Sequence, residues 1–349
     1  MLAACLEQPG KVEVKEVEKP SVKEGEVLLK IDACALCGTD KRVLAGEKPV
    51  SVPIVGHEIV GRVEALGENV DSVEIGQRVA VQTVIGCGEC NACKSSRQNL
   101  CEKGFTAIGY AYNGGFAEYM IMPKIGVDQN CLIKIPDALN TDIATLMEPL
   151  SCCINGLRSI PLEGMDHVVI MGAGIIGILN ALVAKARGVK RVTVMNRSKG
   201  KLDLAKKIGL PIDDFICTKD ADAVEWVKEN SEAGEGVNAS IVCASTTTLA
   251  APAMEMLKRD GHLSFFAGMP KSNPATMVDL NLIHYRELHI HGANSSVRVD
   301  YEEALSMLMS GKIDWAPLIT HRFSLREFNK AVAAQNAAGS LKLIVEPHT

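Results

Sequence analysis

The stretch His167-Val168-Val169-Ile170-Met171-Gly172-Ala173-Gly174-Ile175-Ile176-Gly177 sets the architecture of this chain. A strand-like run enters a G-x-G-x-x-G turn, and apolar residues at helical spacing continue over 175–187. Such a glycine pattern is weak in isolation, but between a strand and a helix it marks a turn that binds a dinucleotide. Gly172 permits the tight turn, Gly174 lets the backbone approach a pyrophosphate, and Gly177 lets helix pack on strand. Ile175 and Ile176 open the helix whose N-terminus would face the phosphates. An ordinary strand-to-helix turn is the competing reading.

Working outward, the C-terminal side continues the alternation. A strand is expected at 191–195, helices at 198–208 and 221–229, a strand at 239–243, a helix at 246–257, and strands at 262–267 and 287–292. Alternation of this kind builds a parallel sheet covered on both faces. On the N-terminal side, up to about residue 150, short alternating runs at 27–31, 59–65 and 78–84 are broken by glycine and proline, a pattern suited to a small β-rich barrel. Beyond 292 an amphipathic helix at 301–310 stops at Gly311, and an apolar strand at 342–345 ends the tail. The expected division is a β-rich domain from 1–150 and 293–349, with the tail folding back onto the N-terminal part, and a nucleotide-binding domain over 151–292.

A chain of 349 residues with 47% apolar residues can fill two cores. The net charge of −5 contains no basic block or acidic tail, so nucleic acid and anionic membranes are not the expected partners, and a small-molecule substrate is. The apolar start, 1–6, is too short for a signal-peptide core, and no run approaches a membrane span, which makes the cytoplasm the expected location.

Twelve cysteines in a chain with no secretory signal read as reduced. Four of them, Cys87, Cys90, Cys93 and Cys101, are separated by two, two and seven residues within the lobe 85–109, a spacing that closes a tetrahedron of thiolates around one zinc ion. A closed sulfur site leaves no place for substrate, so its role is architectural. A zinc ribbon that binds nucleic acid would want basic and aromatic neighbours, and only Lys94, Arg97 and Lys103 are near. Cys5, Cys34, Cys131, Cys152, Cys153, Cys217 and Cys243 lie in apolar surroundings and behave as small hydrophobes. A second cluster joins Cys37 to the pair His57 and Glu58, with Glu148 further on. Taken alone, Cys37 reads as a buried hydrophobe and His57 as a satisfied core histidine. Together, thiolate, imidazole and carboxylate make three protein ligands with one position open, the arrangement of a catalytic zinc that acts as a Lewis acid on an alcohol. Thr39, two residues past Cys37, offers a hydroxyl to carry the proton away.

These motifs, CGTD at 37–40, GHE at 56–58, CGECNAC with Cys101, GGFAEY at 114–119, MEPL at 147–150 and GAGIIG at 172–177, resemble the zinc-dependent medium-chain alcohol dehydrogenases over essentially the whole length. Within them the likeness is to the branch of sorbitol and related polyol, sugar-alcohol-phosphate and threonine dehydrogenases. The resemblance implies a GroES-like catalytic domain built from both ends of the chain, a Rossmann domain between them, and a cleft for zinc and nicotinamide. It also implies that Cys37 and His57 ligate the catalytic zinc and that Glu58 and Glu148 bind it directly or through its water, and it implies a homotetramer or homodimer.

Three departures from the family's pattern stand out. Arg42 and Val43 replace the histidine of a proton relay and its aromatic neighbour, which leaves proton transfer to Thr39 and solvent. The Arg-Tyr pair expected on sugar hydroxyls falls near Ser295 and Ser296, which argues against sorbitol itself. Arg42 or Arg298 would suit a phosphorylated or carboxylated polyol, or either is a solvated surface charge. Finally, the acidic residue that binds the ribose 2′-hydroxyl in NAD enzymes is replaced by Asn196, followed by Arg197, Ser198 and Lys199, donors suited to the 2′-phosphate of NADP. NAD remains compatible if Arg197 only stacks on adenine.

The resulting expectation is a two-zinc, NADP-preferring oxidoreductase acting on a secondary alcohol of a polyol, a sugar alcohol with or without phosphate, or a related hydroxy compound. A threonine-type or diol-type dehydrogenase is the alternative within the family. The alternative of another class is a non-catalytic zinc-stabilised protein that binds nucleotide or senses redox state.

Overall fold

A computed structural model describes residues 1–349, and the chain divides into two compact units, Met1–Ser151 with Ser295–Thr349, and Cys152–Asn294.

In the second unit, six parallel strands lie in the order Asp214–Cys217, Arg191–Asn196, His167–Met171, Val237–Val242, Leu257–Phe265, His289–Gly292. The chain therefore starts in the middle, winds to one edge, returns, and winds to the other, which is the doubly wound Rossmann order. Val168, Val169 and Ile170 on the central strand are fully buried, as a strand covered on both faces requires. The strand Asp214–Cys217 is absent from the sequence expectation, because four half-buried residues, DFIC, carry no alternation to detect. The strand expected at 262–267 begins earlier, at Leu257, with Asp260 at φ 58 inside it; Arg-Asp-Gly reads as a turn in sequence and is absorbed as an irregularity in the ladder. The helix expected at 246–257 is shorter, a 3₁₀ turn Thr247–Leu249 followed by Ala250–Glu255.

In the first unit, seven strands form one sheet whose path runs Ile319–Ser324, Lys342–Glu346, Val27–Ala35, Glu58–Leu66, Arg78–Val81, Leu132–Lys134, with Tyr119–Met122 also pairing Val27–Ala35. All pairings are antiparallel except that between the last two strands of the chain. The tail returns through Lys342–Glu346, where Ile344 and Val345 pair with Ala35 and Cys34. Its core joins Leu29, Ile31, Phe116 and Met120 to Phe328, Leu343 and Val345, so residues from both ends of the chain bury one another. No helix is long and apolar enough to cross a membrane.

Candidate metal centres and nucleotide turn

The cysteine lobe is closed at its base by the short pair Val84–Ile85 and Thr106–Ala107. Cys90 caps the single-turn helix Asn91–Lys94, its sulfur accepting the Cys93 N–H at 3.5 Å. The Cys87 and Cys90 N–H groups donate to Cys101 and Cys87 sulfurs, both at 3.4 Å. Amide donors aimed at sulfur favour thiolates, and they draw the Cys90 thiol down to about 6. Cys87 and Cys93 sulfurs stand 3.9 Å apart, as do those of Cys90 and Cys101. Zinc–sulfur bonds of about 2.3 Å at tetrahedral angles require a separation of about 3.8 Å, so the four donors fit one zinc ion.

The mixed cluster is assembled by two separate elements of the first unit. Cys37 is the N-cap of helix Gly38–Leu44, and its sulfur accepts the Thr39 N–H at 3.5 Å. His57 and Glu58 lie where strand Glu58–Leu66 begins. Gly56 just before them has φ 98, and a Cβ there would meet Phe116 at 2.8 Å. Gly114 packs against the same turn, where a Cβ would stand 2.1 Å from the Gly56 carbonyl oxygen, which gives the GGF and GHE motifs a shared steric reason. Ligand atoms of Cys37, His57 and Glu58 lie within 4.8 Å of one another. Glu148 stands outside that group, near enough for its charge to help hold the Glu58 carboxyl high.

Two residues that the sequence expectation did not single out complete the surroundings. Asp40, 1% exposed, accepts the Cys37 N–H at 2.9 Å and stands 3.1 Å from His57 Nδ1. Lys342, fully buried on the C-terminal strand, donates to Glu58 Oε2 and to the Leu36 carbonyl at 3.4 Å. Burial foremost, with the Glu148 charge, pushes the Glu58 carboxyl up to about 7 against the pull of Lys342 and His57. Glu58 Oε1 is buried with no hydrogen-bond partner. An orphaned carboxylate oxygen beside a thiol and an imidazole is what a bound cation would satisfy, so this donor set fits a metal. The signal for Asp40 was present in the sequence as an acidic residue at the third position after an N-cap. Lys342 left none.

In the second unit Gly172 adopts φ 124. A Cβ at Gly177 would lie 1.7 Å from the Gly172 carbonyl oxygen, so the turn closes only with glycine there. Gly174, the N-cap of the twelve-residue helix Ile175–Ala186, has open space where a Cβ would be, a cradle that fits an approaching pyrophosphate. Asn196 ends the second strand in sequence order, accepts the Ala173 N–H at 3.2 Å and donates to the Ser198 carbonyl at 2.8 Å. Ser198 caps the helix Lys199–Lys207, and Lys199 is engaged with Asp220 at 2.9 Å. The exposed Arg197 guanidinium makes no ion pair.

Residues 23–137 match the alcohol dehydrogenase GroES-like domain, and residues 176–310 match the zinc-binding dehydrogenase domain. An L-threonine 3-dehydrogenase of Chromobacterium violaceum is 31% identical over 99% of this chain and 98% of its own. The chain belongs to the zinc-dependent medium-chain alcohol dehydrogenases. A sorbitol dehydrogenase of Halalkalibacterium halodurans is 30% identical, covering 97% of this chain and 96% of its own. The crystal structure of a zinc-binding dehydrogenase of Sinorhizobium meliloti bound to NADP superposes with a TM-score of 0.90 at 30% identity, covering 99% of both chains. The protein is thus an enzyme, an oxidoreductase of this family, with a GroES-like unit and a Rossmann unit.

Proposed function

We propose that this dehydrogenase holds two zinc ions per chain and interconverts a secondary alcohol of a small polyol or related hydroxy compound with its ketone, using NADP(H) in preference to NAD(H). The observation that carries the reading is the gathering of three unlike donors, from Cys37, His57 and Glu58, within 4.8 Å, with Glu58 Oε1 unpartnered. Zinc held there by Cys37, His57 and Glu58 would supply a Lewis acid for an alcohol oxygen, while zinc among Cys87, Cys90, Cys93 and Cys101 would staple its lobe.

The remaining work belongs to the chain. Asp40 fixes the Cys37 backbone and stands at His57, and Lys342 holds one Glu58 oxygen so that the other is presented. The Thr39 hydroxyl passes the proton of the alcohol oxygen to solvent, and a nicotinamide bound beside it would supply the acceptor for the hydride of the carbinol carbon. Gly174 and the N-terminus of helix Ile175–Ala186 receive the pyrophosphate, and Asn196, Arg197 and Ser198 receive the 2′-phosphate. Glu148 acts from outside the three-donor group, on the charge of Glu58.

Neither cation that suggested a phosphorylated substrate is free: Arg42 stands 3.5 Å from Glu47, and Arg298 bonds Glu302 at 2.8 Å and the Asn130 carbonyl at 2.6 Å. That weakens the phosphorylated class relative to neutral polyols. A threonine-type or diol-type substrate is the second reading, favoured by small Ser295 and Ser296 at the place of sugar-hydroxyl contacts and by the threonine dehydrogenase relative. A cytoplasmic homotetramer or homodimer is the assembly we adopt from the family resemblance. The test is a screen of polyols, polyol phosphates, 2,3-diols and amino alcohols with both cofactors, followed by nicotinamide absorbance on fully metallated protein. Turnover of at least one secondary alcohol is expected; none on any class would favour a non-catalytic nucleotide-binding or redox-sensing role.

A further inference from the structure

Three of the chain's eight histidines, His262, His289 and His291, share one face at the edge of the parallel sheet, remote in sequence from the cysteine lobe, the mixed cluster and the glycine turn. His262 on Leu257–Phe265 pairs in register with His289 on the edge strand His289–Gly292, and its ring stacks on those of His289 and His291 with centroids 4.6 and 5.2 Å away and planes within 16°. His262 Nδ1 lies 3.0 Å from His291 Nε2. His289 Nε2 lies 2.8 Å from Asp260 Oδ1. Ser264, opposite His291 in the ladder, is fully buried with a hydroxyl that has no partner.

We propose that His262 and His291 form a third metal site, for a divalent first-row transition ion of the nickel, copper or zinc kind. Two imidazole nitrogens bound at about 2.0–2.1 Å and at angles of about 90–109° stand about 2.9–3.4 Å apart, the range in which this pair already lies. Imidazole is the donor that such ions prefer, which separates this site from oxygen-seeking magnesium or calcium. In the metal-free chain the contact is a hydrogen bond carrying one ring proton between two neutral imidazoles. Binding transfers that proton to a ring nitrogen facing away or to solvent and leaves both lone pairs to the ion. Burial first, and the neighbouring imidazoles second, hold both rings below the ordinary histidine value, so each is in its ligating, neutral form at neutral pH. His289, anchored by Asp260, stacks on the His262 ring and walls the site on that side. With two protein donors, water completes the coordination. The ion would staple the edge strand to its neighbour without touching the dehydrogenase chemistry.

The experiment uses full-length, zinc-loaded protein titrated with Ni²⁺ by calorimetry, with thermal unfolding measured in parallel. One further Ni²⁺ per chain is expected, with a thermal midpoint that rises with Ni²⁺ because the ion binds only the folded edge. His291→Gln, a partly exposed position, should fold as the parent does, lose at least tenfold in Ni²⁺ affinity and lose the Ni²⁺-dependent thermal shift. His284→Gln, outside the cluster, should keep both. Unchanged Ni²⁺ binding by His291→Gln and His262→Gln, or no saturable binding by the parent, would overturn the proposal.

Discussion

Asn196 ends the second strand in sequence order, and under the proposed reading it is where NADP is chosen over NAD. Its amide bridges the glycine turn and the Ser198 carbonyl, and the adjacent Arg197 is exposed and unpaired. A guanidinium can hold a phosphate through two parallel hydrogen bonds, each charge-assisted bond contributing roughly 1.5–3 kcal/mol, of which solvent and salt remove a part at an exposed site. Asn196→Asp with Arg197→Leu should therefore lower the NADP-over-NAD ratio of kcat/KM by about tenfold or more, since a carboxylate accepts from a 2′-hydroxyl and repels a 2′-phosphate. Both cofactors must be compared at one salt concentration. If the parent already uses NAD as well as NADP, Arg197 is only a surface cation. The placement of these residues was legible because it follows from spacing along one strand, turn and helix. Lys342 was not, because it meets Glu58 across 284 residues of sequence, and only the register of the final strand against Val27–Ala35 brings it there.

At the scale of elements, the strand-and-helix alternation after residue 167 was readable because fully buried strands such as His167–Met171 are continuous apolar runs. The strand Asp214–Cys217 escaped because its half-buried residues lack both continuity and alternation. The central strand also carries a titration that sequence hides. His167 is 6% exposed, and its Nε2 meets the Thr193 hydroxyl at 2.8 Å. Burial foremost, with the Arg191 charge, pushes its imidazole down from 6.5 to about 4. Between those values the unfolded chain binds more protons than the folded one, so stability is complete above the unfolded value and falls as pH drops from 6.5 toward about 4. After discounting for partial solvent screening, the loss is on the order of 2 kcal/mol. Denaturant unfolding of the parent and of His167→Gln at about pH 7.5 and about pH 5 should show the parent losing more than the variant by roughly 1 kcal/mol, since only part of the interval is crossed at pH 5. Equal losses would mean that His167 titrates alike in both states.

Across the whole molecule, the two proposed zinc sites call for two kinds of response. The four-cysteine lobe has little core of its own beyond its sulfurs and Ala92, so a closed zinc site there would supply folding free energy directly. The mixed cluster is seated on strands and a helix that the core of the first unit already holds, from Leu29 and Phe116 to Phe328 and Val345. The most direct measurement is kcat/KM for alcohol oxidation set beside the thermal midpoint, taken together on Cys37→Ser, His57→Ala, Cys90→Ser and Cys101→Ser after metal analysis of each. The first two should lose one zinc per chain and at least a thousandfold in kcat/KM while unfolding within a few degrees of the parent, as expected for removing an open catalytic site. The second two should lower the thermal midpoint markedly, by about 5 °C or more. Equal loss of activity together with equal loss of thermal stability in both pairs would contradict the assignment of Cys37, His57 and Glu58 as the centre that acts on the alcohol.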